Sequence, residues 1–169
     1  MTARTVTLHP VGQVVGGRSE MYEDNWHDVR AVIRLDGESF TTSAVLGLED
    51  FSHLEIVFLF DRVDPATVDS RPRPPRGNPA AAPVGVFAHR GPYRPNRLGV
   101  SRCRLLTVDG LDLHVADLDA LSGSPVLDVK PYLIEFAPAD RSPSRPGRAN
   151  SWPATTEAPC PHRHRVRAA

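Results

Sequence analysis

The chain has 169 residues, and its 20 basic and 20 acidic side chains give a formal net charge of zero at pH 7. That length accommodates one domain with a real core, and the charge balance excludes a molecule whose overall field would by itself attract a polyanion. The 17 prolines and 12 glycines exceed average usage and predict long irregular segments around a compact core. Two cysteines, Cys103 and Cys160, are too few for a disulfide-stapled secreted scaffold.

No run of apolar residues approaches the roughly 20 that span a bilayer, and Met1 to His9 lacks the apolar stretch of a secretion signal. We therefore expect a cytoplasmic protein with no membrane partner. Cys160, His162 and His164 have the residue types of metal ligands, but they are few and fall in a tail that we expect to be unfolded. We accordingly expect no metal site.

The first third of the chain contains three β-prone segments that end at turn signals, namely Thr5 to Val15, Asp28 to Leu35 and Ser39 to Thr42. Asp36-Gly37 favours a tight hairpin between the last two of them. Ala44 to Phe51 has apolar residues at helical spacing and predicts one short helical turn. Leu54 to Phe60 is apolar almost throughout and predicts a strand covered on one face by the core and on the other by a helix, a loop or a second subunit.

The segment from Asp64 to Pro83 is rich in proline, alanine and arginine and has no periodicity, so we interpret it as a loop. A solvated linker is one interpretation of this loop. The other is a mobile basic arm that contacts phosphates through Arg71, Arg73 and Arg76.

In the second half, Leu98 to Val108 and Leu111 to Ala116 flank Asp109-Gly110, the clearest hairpin signal in the chain. Val126 to Ile134, interrupted at Pro131, predicts a last strand. After Phe136 the composition cannot bury enough apolar surface to offset the entropy of ordering, so we expect disorder there. Many short strands without a long amphipathic helix predict a mainly β protein, a small closed antiparallel β-barrel with short helical turns.

The segment Gly85 to Ser101, GVFAHRGPYRPNRLGVS, places arginines and a histidine between two β segments, with prolines and glycines that fix its path. Arginines on a stiff backbone can fork onto a carboxylate or stack on a base. The alternative is that Arg90 or Arg94 forms a structural salt bridge with Asp61 or Asp128.

This segment is similar to GVFATRSPxRPNPIGLS, the signature of the TrmO family, also called TsaA-like or YaeB-like. Likewise GLEDFSHLEIVFLF is similar to the family segment GLEEFSHLWVLF, and SGSPVLDVKPYL is similar to DGTPVLDIKPYL. Order and spacing agree, so the resemblance extends from Val6 to Phe136. We expect residues 1–136 to form a TsaA-like β-barrel methyltransferase domain and residues 137–169 to form a disordered, proline- and arginine-rich tail.

The resemblance implies a β-barrel that binds S-adenosylmethionine outside the common methyltransferase fold and works as a homodimer. The acceptor that it implies is N6 of N6-threonylcarbamoyladenosine beside the anticodon of a tRNA. The residues that match the cofactor-binding positions are Asp24, Asn25, Trp26, Asp61, Arg62, Arg90, Leu98, Ser122, Gly123, Ser124 and Pro125. Within the signature, the residues predicted to bind the acceptor are His89, Tyr93, Arg94 and Asn96.

The segment LDVKPY supplies the candidates for catalysis. Asp128 or Tyr132 could remove or orient the proton on N6, and Lys130, the only lysine, could stabilise an anionic acceptor or the carboxylate of a threonylcarbamoyl group. The alternative is that Asp128 and Lys130 form a structural ion pair.

This chain departs from the family pattern at several of the matched positions. His89 and Gly91 stand where threonine and serine are usual, Arg97 replaces the second proline of RPNP, and Ser122 replaces the aspartate of DGTP. Changes at the rim of a site alter what fits it. Two alternatives therefore stay open: a methyltransferase acting on a small molecule or another nucleobase, and a non-catalytic module that binds the cofactor or RNA.

Overall fold

The computed structural model describes residues 4–21 and 26–137, which form a closed barrel of six antiparallel strands. The strands are β1 (Gly12–Val15), β2 (Arg30–Leu35), β3 (His53–Leu59), β4 (Leu98–Asp109), β5 (Asp112–Ala116) and β6 (Pro125–Pro131). Their order around the barrel is β1-β2-β5-β4-β3-β6, and β6 pairs back to β1. The predicted fold class, a small closed antiparallel barrel, is confirmed.

A short seam between β1 and β6 closes the barrel. Gly12 lies opposite Val126, and the Val11 amide donates to the Val126 carbonyl oxygen at 2.7 Å. On its other side β1 runs unusually close to β2, because a Cβ atom on Gly12 would lie 2.3 Å from the Arg34 carbonyl oxygen. Only glycine permits that approach.

Strand β3 carries the middle of the core. Leu54, Ile56 and Phe58 point inward and are at most 2% exposed, as the apolar run predicts, whereas Val57 and Leu59 on the other face are half-buried. Phe58 lies opposite Gly99 of β4, where a Cβ atom would lie 2.3 Å from the phenyl ring. The rest of the buried core consists of Val14, Ala31, Ile33, Leu35, Val45, Cys103, Leu113, Val115, Leu118, Ala120 and Val126.

The first predicted strand is longer than the observed one, because pairing begins only at Gly12. The predicted third strand at Ser39 to Thr42 is wrong. The Asp36 carboxylate accepts hydrogen bonds from the Glu38 amide at 3.1 Å and the Ser39 hydroxyl at 2.6 Å, which closes a local turn. Strand β2 already has β1 and β5 on its two sides, so it has no free edge for a hairpin partner.

Short 3-10 turns take the place of longer helices in the described connections. In the barrel unit they are Thr42–Val45, Leu48–Asp50, Pro65–Thr67, Pro75–Gly77 and Val86–Ala88. The first two confirm the helical turn predicted from Ala44 to Phe51. The predicted hairpin is also confirmed, since Asp109 of β4 lies opposite Asp112 of β5.

The chain divides into two units, Met1–Tyr132 and Leu133–Ala169. Strand β6 ends at Pro131, short of the predicted Ile134, although the Tyr132 amide still donates to the His53 carbonyl oxygen at 2.9 Å. In the second unit the described residues contain one 3-10 turn, Ile134–Phe136. The tail predicted to be disordered, with Cys160 and its neighbouring histidines, lies outside the described residues from 138 onward.

No helix within residues 4–21 and 26–137 is long and apolar enough to cross a membrane.

Candidate functional site

Three connecting segments meet at one end of the barrel, which we call the site end: residues 16–29, 60–97 and 117–124. The described parts of these segments, which for the first are residues 16–21 and 26–29, meet because β1, β3 and β5 all finish there and β2, β4 and β6 all begin there, as the antiparallel register requires. Every predicted cofactor residue within the described ranges belongs to one of these segments or to the first residue of β4 or β6.

Arg62 lies in the segment 60–97 and binds both of the other segments. Its guanidinium donates to the Ser19 carbonyl oxygen and, at 2.7 Å, to the Ser122 carbonyl oxygen. The Ser122 amide in turn donates to the Arg18 carbonyl oxygen, and the Gly123 amide to Val14, each at 2.7 Å. These contacts use the backbone of Ser122, so they do not depend on the serine that replaces the family's aspartate.

An aromatic ring lies close to this junction. The Arg18 guanidinium is 4.7 Å from the centre of the Trp26 ring, a cation–π contact that orients both side chains. Asp61 is exposed beside Arg62, and Ser124 is buried. The predicted cofactor residues Asp24 and Asn25 lie outside the described residues.

Arg90 contacts a stretch of β4 that has a strand on one side only. Strand β5 ends at Ala116, so residues 98–103 of β4 pair with β3 alone among the described strands. The Arg90 guanidinium donates to the Val100 carbonyl oxygen in this stretch, at 2.7 Å. This contact differs from the salt bridge to a nearby carboxylate considered from the sequence.

Asp119 is held against the same stretch of β4. Its amide donates to the hydroxyl of the buried Ser101 at 3.0 Å. The side chain reaches solvent, but protein atoms crowd its carboxyl, and this desolvation raises the pKa of Asp119 to about 6 although Arg90 and Arg18 lower it.

His89 fastens the signature segment to the loop before it. Its Nε2 lies 3.1 Å from the Arg73 carbonyl oxygen and 3.2 Å from that of Val84, and because both partners are acceptors this nitrogen carries the proton. Arg73 donates to the Tyr93 carbonyl oxygen at 3.0 Å, and its guanidinium lies 5.4 Å from the Tyr93 ring centre. Arg94 donates to the His89 carbonyl oxygen at 3.2 Å.

These contacts bear on both interpretations of the loop from Asp64 to Pro83. Arg71 pairs with Asp69 within the loop at 2.7 Å, whereas Arg73 is engaged with the signature segment, so the loop is attached at Arg73. The side chain of Arg76 lies outside the described part of the structure. Of the four residues predicted to bind the acceptor, Asn96 is exposed and the other three make the internal contacts above.

Asp128, Lys130 and Tyr132 lie along β6 and just beyond its last residue, progressively farther from the site end. Lys130 forms an ion pair with Asp128, which is the structural contact considered from the sequence. The Arg102 guanidinium lies 4.7 Å from the centre of the Tyr132 ring. Because a strand advances about 3.3 Å per residue, Lys130 is roughly 16 Å along β6 from Pro125. Lys130 and Tyr132 therefore lie toward the far end of β6 from the segments that hold Arg62 and Ser122, and Asp128 lies between.

Residues 23–137 match the family model described as the tRNA-methyltransferase O N-terminal domain, and this match covers more than half of the 169-residue chain. The chain belongs to this family.

The relatives that this chain matches extend well beyond the matched region. The human protein named tRNA (adenine(37)-N6)-methyltransferase is 37% identical over 109 residues, which cover 63% of this chain and 24% of that protein. A Pseudomonas aeruginosa protein named putative S-adenosylmethionine-dependent methyltransferase RcsF is 42% identical over 95 residues, 55% of this chain and 38% of that one. The crystal structure of TrmO from Pseudomonas aeruginosa superposes with a TM-score of 0.63 at 28% identity, covering 85% of this chain and 62% of its own. This chain thus spans less than two thirds of each.

Two departures from the family signature have a structural interpretation. A Cβ atom on Gly91 would meet no other atom within 4 Å, so the usual serine would fit here without a clash. Arg97 has a φ of 49°, which proline cannot adopt, and its amide donates to the Arg94 carbonyl oxygen at 2.9 Å. The Arg97 guanidinium also donates to the Val63 carbonyl oxygen at 2.9 Å. The signature segment of this chain therefore turns at Arg97 in a way that the second proline of RPNP would prevent.

Sequence reasoning missed three residues of the site end. Arg18 follows the Gly16-Gly17 break, Asp119 precedes the SGSP turn, and Phe87 is 82% exposed within the signature itself. Phe87 had a sequence signal, because it is an aromatic residue within the arginine-rich signature segment, and an exposed aromatic ring can stack on a nucleobase. Arg18 and Asp119 had none, since their proximity depends on how β1, β4 and β5 are arranged.

Proposed function

We propose that this chain is an S-adenosylmethionine-dependent tRNA methyltransferase that methylates N6 of N6-threonylcarbamoyladenosine next to the anticodon. The observation that carries the proposal is the double hydrogen bond from Arg62 to Ser19 and Ser122, which joins two segments assigned to the cofactor by family resemblance. The name of the human relative supports both the reaction and the tRNA position.

The groups at the site end fit S-adenosylmethionine, which combines a base, ribose hydroxyls, a sulfonium and an amino acid end. Trp26 offers a ring face, Arg18 and Arg90 offer cationic donors, and Asp119 offers a carboxylate. The name of the Pseudomonas aeruginosa relative RcsF supports this cofactor. We assign cofactor binding to Asp24, Asn25, Trp26, Asp61, Arg62, Arg90, Leu98, Ser122, Gly123, Ser124 and Pro125.

For the acceptor we assign the signature segment. Its exposed aromatic side chains, Phe87 and Tyr93, offer faces on which a splayed nucleobase can stack. Arg94 and Asn96 follow Tyr93 in the chain and supply polar groups beside it, and His89 holds the segment in place. Arginine contacts to phosphates would make binding of the tRNA salt-sensitive.

In the proposed reaction, N6 forms a bond to the methyl carbon as the bond between that carbon and the sulfonium sulfur breaks, and the proton on N6 leaves. Correct alignment of the reacting atoms and exclusion of water supply most of the acceleration. Asp128 or Tyr132 would take or orient the proton, and Lys130 would stabilise negative charge on the acceptor. Because Lys130 is about 16 Å along β6 from Pro125, such roles require a long acceptor or a second protomer.

A homodimer is the assembly that we propose. The outer faces of β3 and β4 present Val57, Leu59 and Val100, which are half-buried or exposed in the single chain and would suit a partner subunit. We further propose that residues 1–136 constitute the methyltransferase domain, that 137–169 form a tail, and that the protein acts in the cytoplasm. Size-exclusion chromatography with light scattering would test the dimer.

The direct test is methylation by the purified protein. Transfer RNA carrying N6-threonylcarbamoyladenosine is incubated with S-adenosylmethionine, digested and analysed by mass spectrometry of its nucleosides. We expect the threonylcarbamoyladenosine peak to gain one methyl group, and Arg90→Ala to slow this gain at least tenfold with little change in melting temperature. The same substitution at Arg34, which pairs with Asp112 on the outside of the barrel, is the matched control.

If the threonylcarbamoyladenosine gains no methyl group in the wild-type reaction, the tRNA proposal is rejected. Consumption of S-adenosylmethionine with another acceptor would then favour a different substrate, a candidate that the altered turn at Arg97 supports.

A further inference from the structure

Asp119 is a surface carboxylate on a firmly held piece of backbone. Leu118 and Ala120 on either side of it are buried at 0% and 4% exposure, and the Asp119 amide is bound to the hydroxyl of Ser101, which is 5% exposed. The backbone at Asp119 is thus held by two buried neighbours and one hydrogen bond. The backbone that carries the carboxylate is therefore held in place at the site end.

Within the part of the chain that the structure describes, the hydrogen-bonding capacity of this carboxylate is unused. No donor among residues 4–21 and 26–137 reaches its oxygens, although protein atoms crowd it enough to raise the pKa of Asp119 to about 6. A carboxylate that is partly desolvated and lacks donors is costly to the fold. A ligand with a positively charged hydrogen-bond donor would remove that cost, because the donor takes the place of the water that the carboxylate has lost.

Two arginines accompany Asp119. Arg90 donates to the carbonyl oxygen of Val100, next to the Ser101 that holds the Asp119 amide, and the Arg18 carbonyl oxygen accepts from the amide of Ser122, three residues after Asp119. The positive charges of both arginines lower the pKa of Asp119. One carboxylate beside two guanidiniums is the complement of an α-amino acid zwitterion, whose ammonium and carboxylate are separated by a single carbon. The methyl donor of the proposed reaction ends in such a group.

We propose that Asp119 is the residue that selects the amino acid end of the methyl donor, its carboxylate accepting hydrogen bonds from the α-ammonium group while Arg18 and Arg90 face the α-carboxylate. This inference rests on the proposed function. It adds a residue outside the matched family motifs and predicts which part of the ligand that residue recognises.

Two ligands test whether Asp119 recognises the amino acid end or another part of the methyl donor. S-adenosylhomocysteine carries the amino acid end, whereas 5′-methylthioadenosine keeps the base, ribose and sulfur but lacks it. Calorimetric titration of both ligands into the wild-type protein and Asp119→Asn at pH 7.5 gives two affinity ratios. We expect Asp119→Asn to bind S-adenosylhomocysteine about tenfold or more weakly, and methylthioadenosine within about twofold of wild type. Asp119→Glu should recover part of the preference.

Asp109→Asn is the matched control, because it removes the same charge from the exposed hairpin at the opposite end of the barrel. It should leave both affinities unchanged. Equal losses for both ligands in Asp119→Asn would overturn the inference in favour of a ribose contact or a general loss of structure, and unchanged affinities would overturn it as well. If the wild-type protein bound neither ligand, the proposed function itself would fail.

Discussion

Gly99 illustrates how one residue can fix both the core and the site end. It lies opposite Phe58, and any Cβ atom there would be 2.3 Å from the phenyl ring. We expect Gly99→Ala to lower the free energy of unfolding by about 1–3 kcal/mol in urea titrations, because the ring must leave its position. Gly91→Ala is the control, since a Cβ atom there meets nothing within 4 Å. Equal stability of the two variants would contradict the predicted clash.

The raised pKa of Asp119 should also make the stability of the protein depend on pH. Its folded-state pKa is about 6, above the ordinary value of 3.8, so the folded protein holds this proton more tightly between those two values. Stability relative to Asp119→Asn therefore falls as pH rises through this window. We expect Asp119→Asn to melt at a higher temperature than wild type at pH 7.5 and at the same temperature near pH 4. Melting curves across this range give the comparison, and a difference independent of pH would exclude the assigned titration.

At the scale of elements, Arg62 joins connections that follow β1 and β3 to the one that precedes β6. We expect Arg62→Ala to speed amide exchange at Ser122 and Gly123, measured by hydrogen–deuterium mass spectrometry, while β3 stays protected. The loss of stability should be about 1 kcal/mol, because the guanidinium is exposed. Arg71→Ala, which breaks only a local pair with Asp69, should leave exchange at Ser122 unchanged.

The strands were predictable to the extent that their pattern is local. Alternation of apolar residues and the Asp109-Gly110 turn were enough to predict the β4–β5 hairpin, and the apolar run predicted β3. The strand expected at Ser39 to Thr42 failed because strand order around the barrel, which is non-local, leaves β2 without an edge. In the same way, motif resemblance predicted Arg62 and Ser122 as site residues, but it carried no information that Arg90 and Asp119 contact neighbouring residues of β4.

For the whole molecule, barrel closure depends on strands near opposite ends of the barrel unit. Deletion of residues 1–15 removes β1 and leaves β2 and β6 each with an unpaired edge. We expect this variant to lose its cooperative thermal transition, because the core would open between those strands. Deletion of residues 1–8 is the control, since Val6 and Leu8 are 72% and 56% exposed, and it should melt cooperatively like the full chain. A cooperative transition in both would show that the seam is dispensable.

Residues 98–103 of β4, which have no β5 partner because β5 ends at Ala116, have a consequence for solubility. A row of free backbone groups is a template on which another chain can add a strand, so natural sheets cover or charge such rows. Here the guanidinium of Arg90 occupies the Val100 carbonyl oxygen, and the segment of Asp119 covers the next residue. Substituting Arg90 therefore uncovers a point at which molecules can pair edge to edge. Preparations of such variants should become turbid at concentrations where the native protein stays clear, and filtration before each assay would separate lost chemistry from lost material.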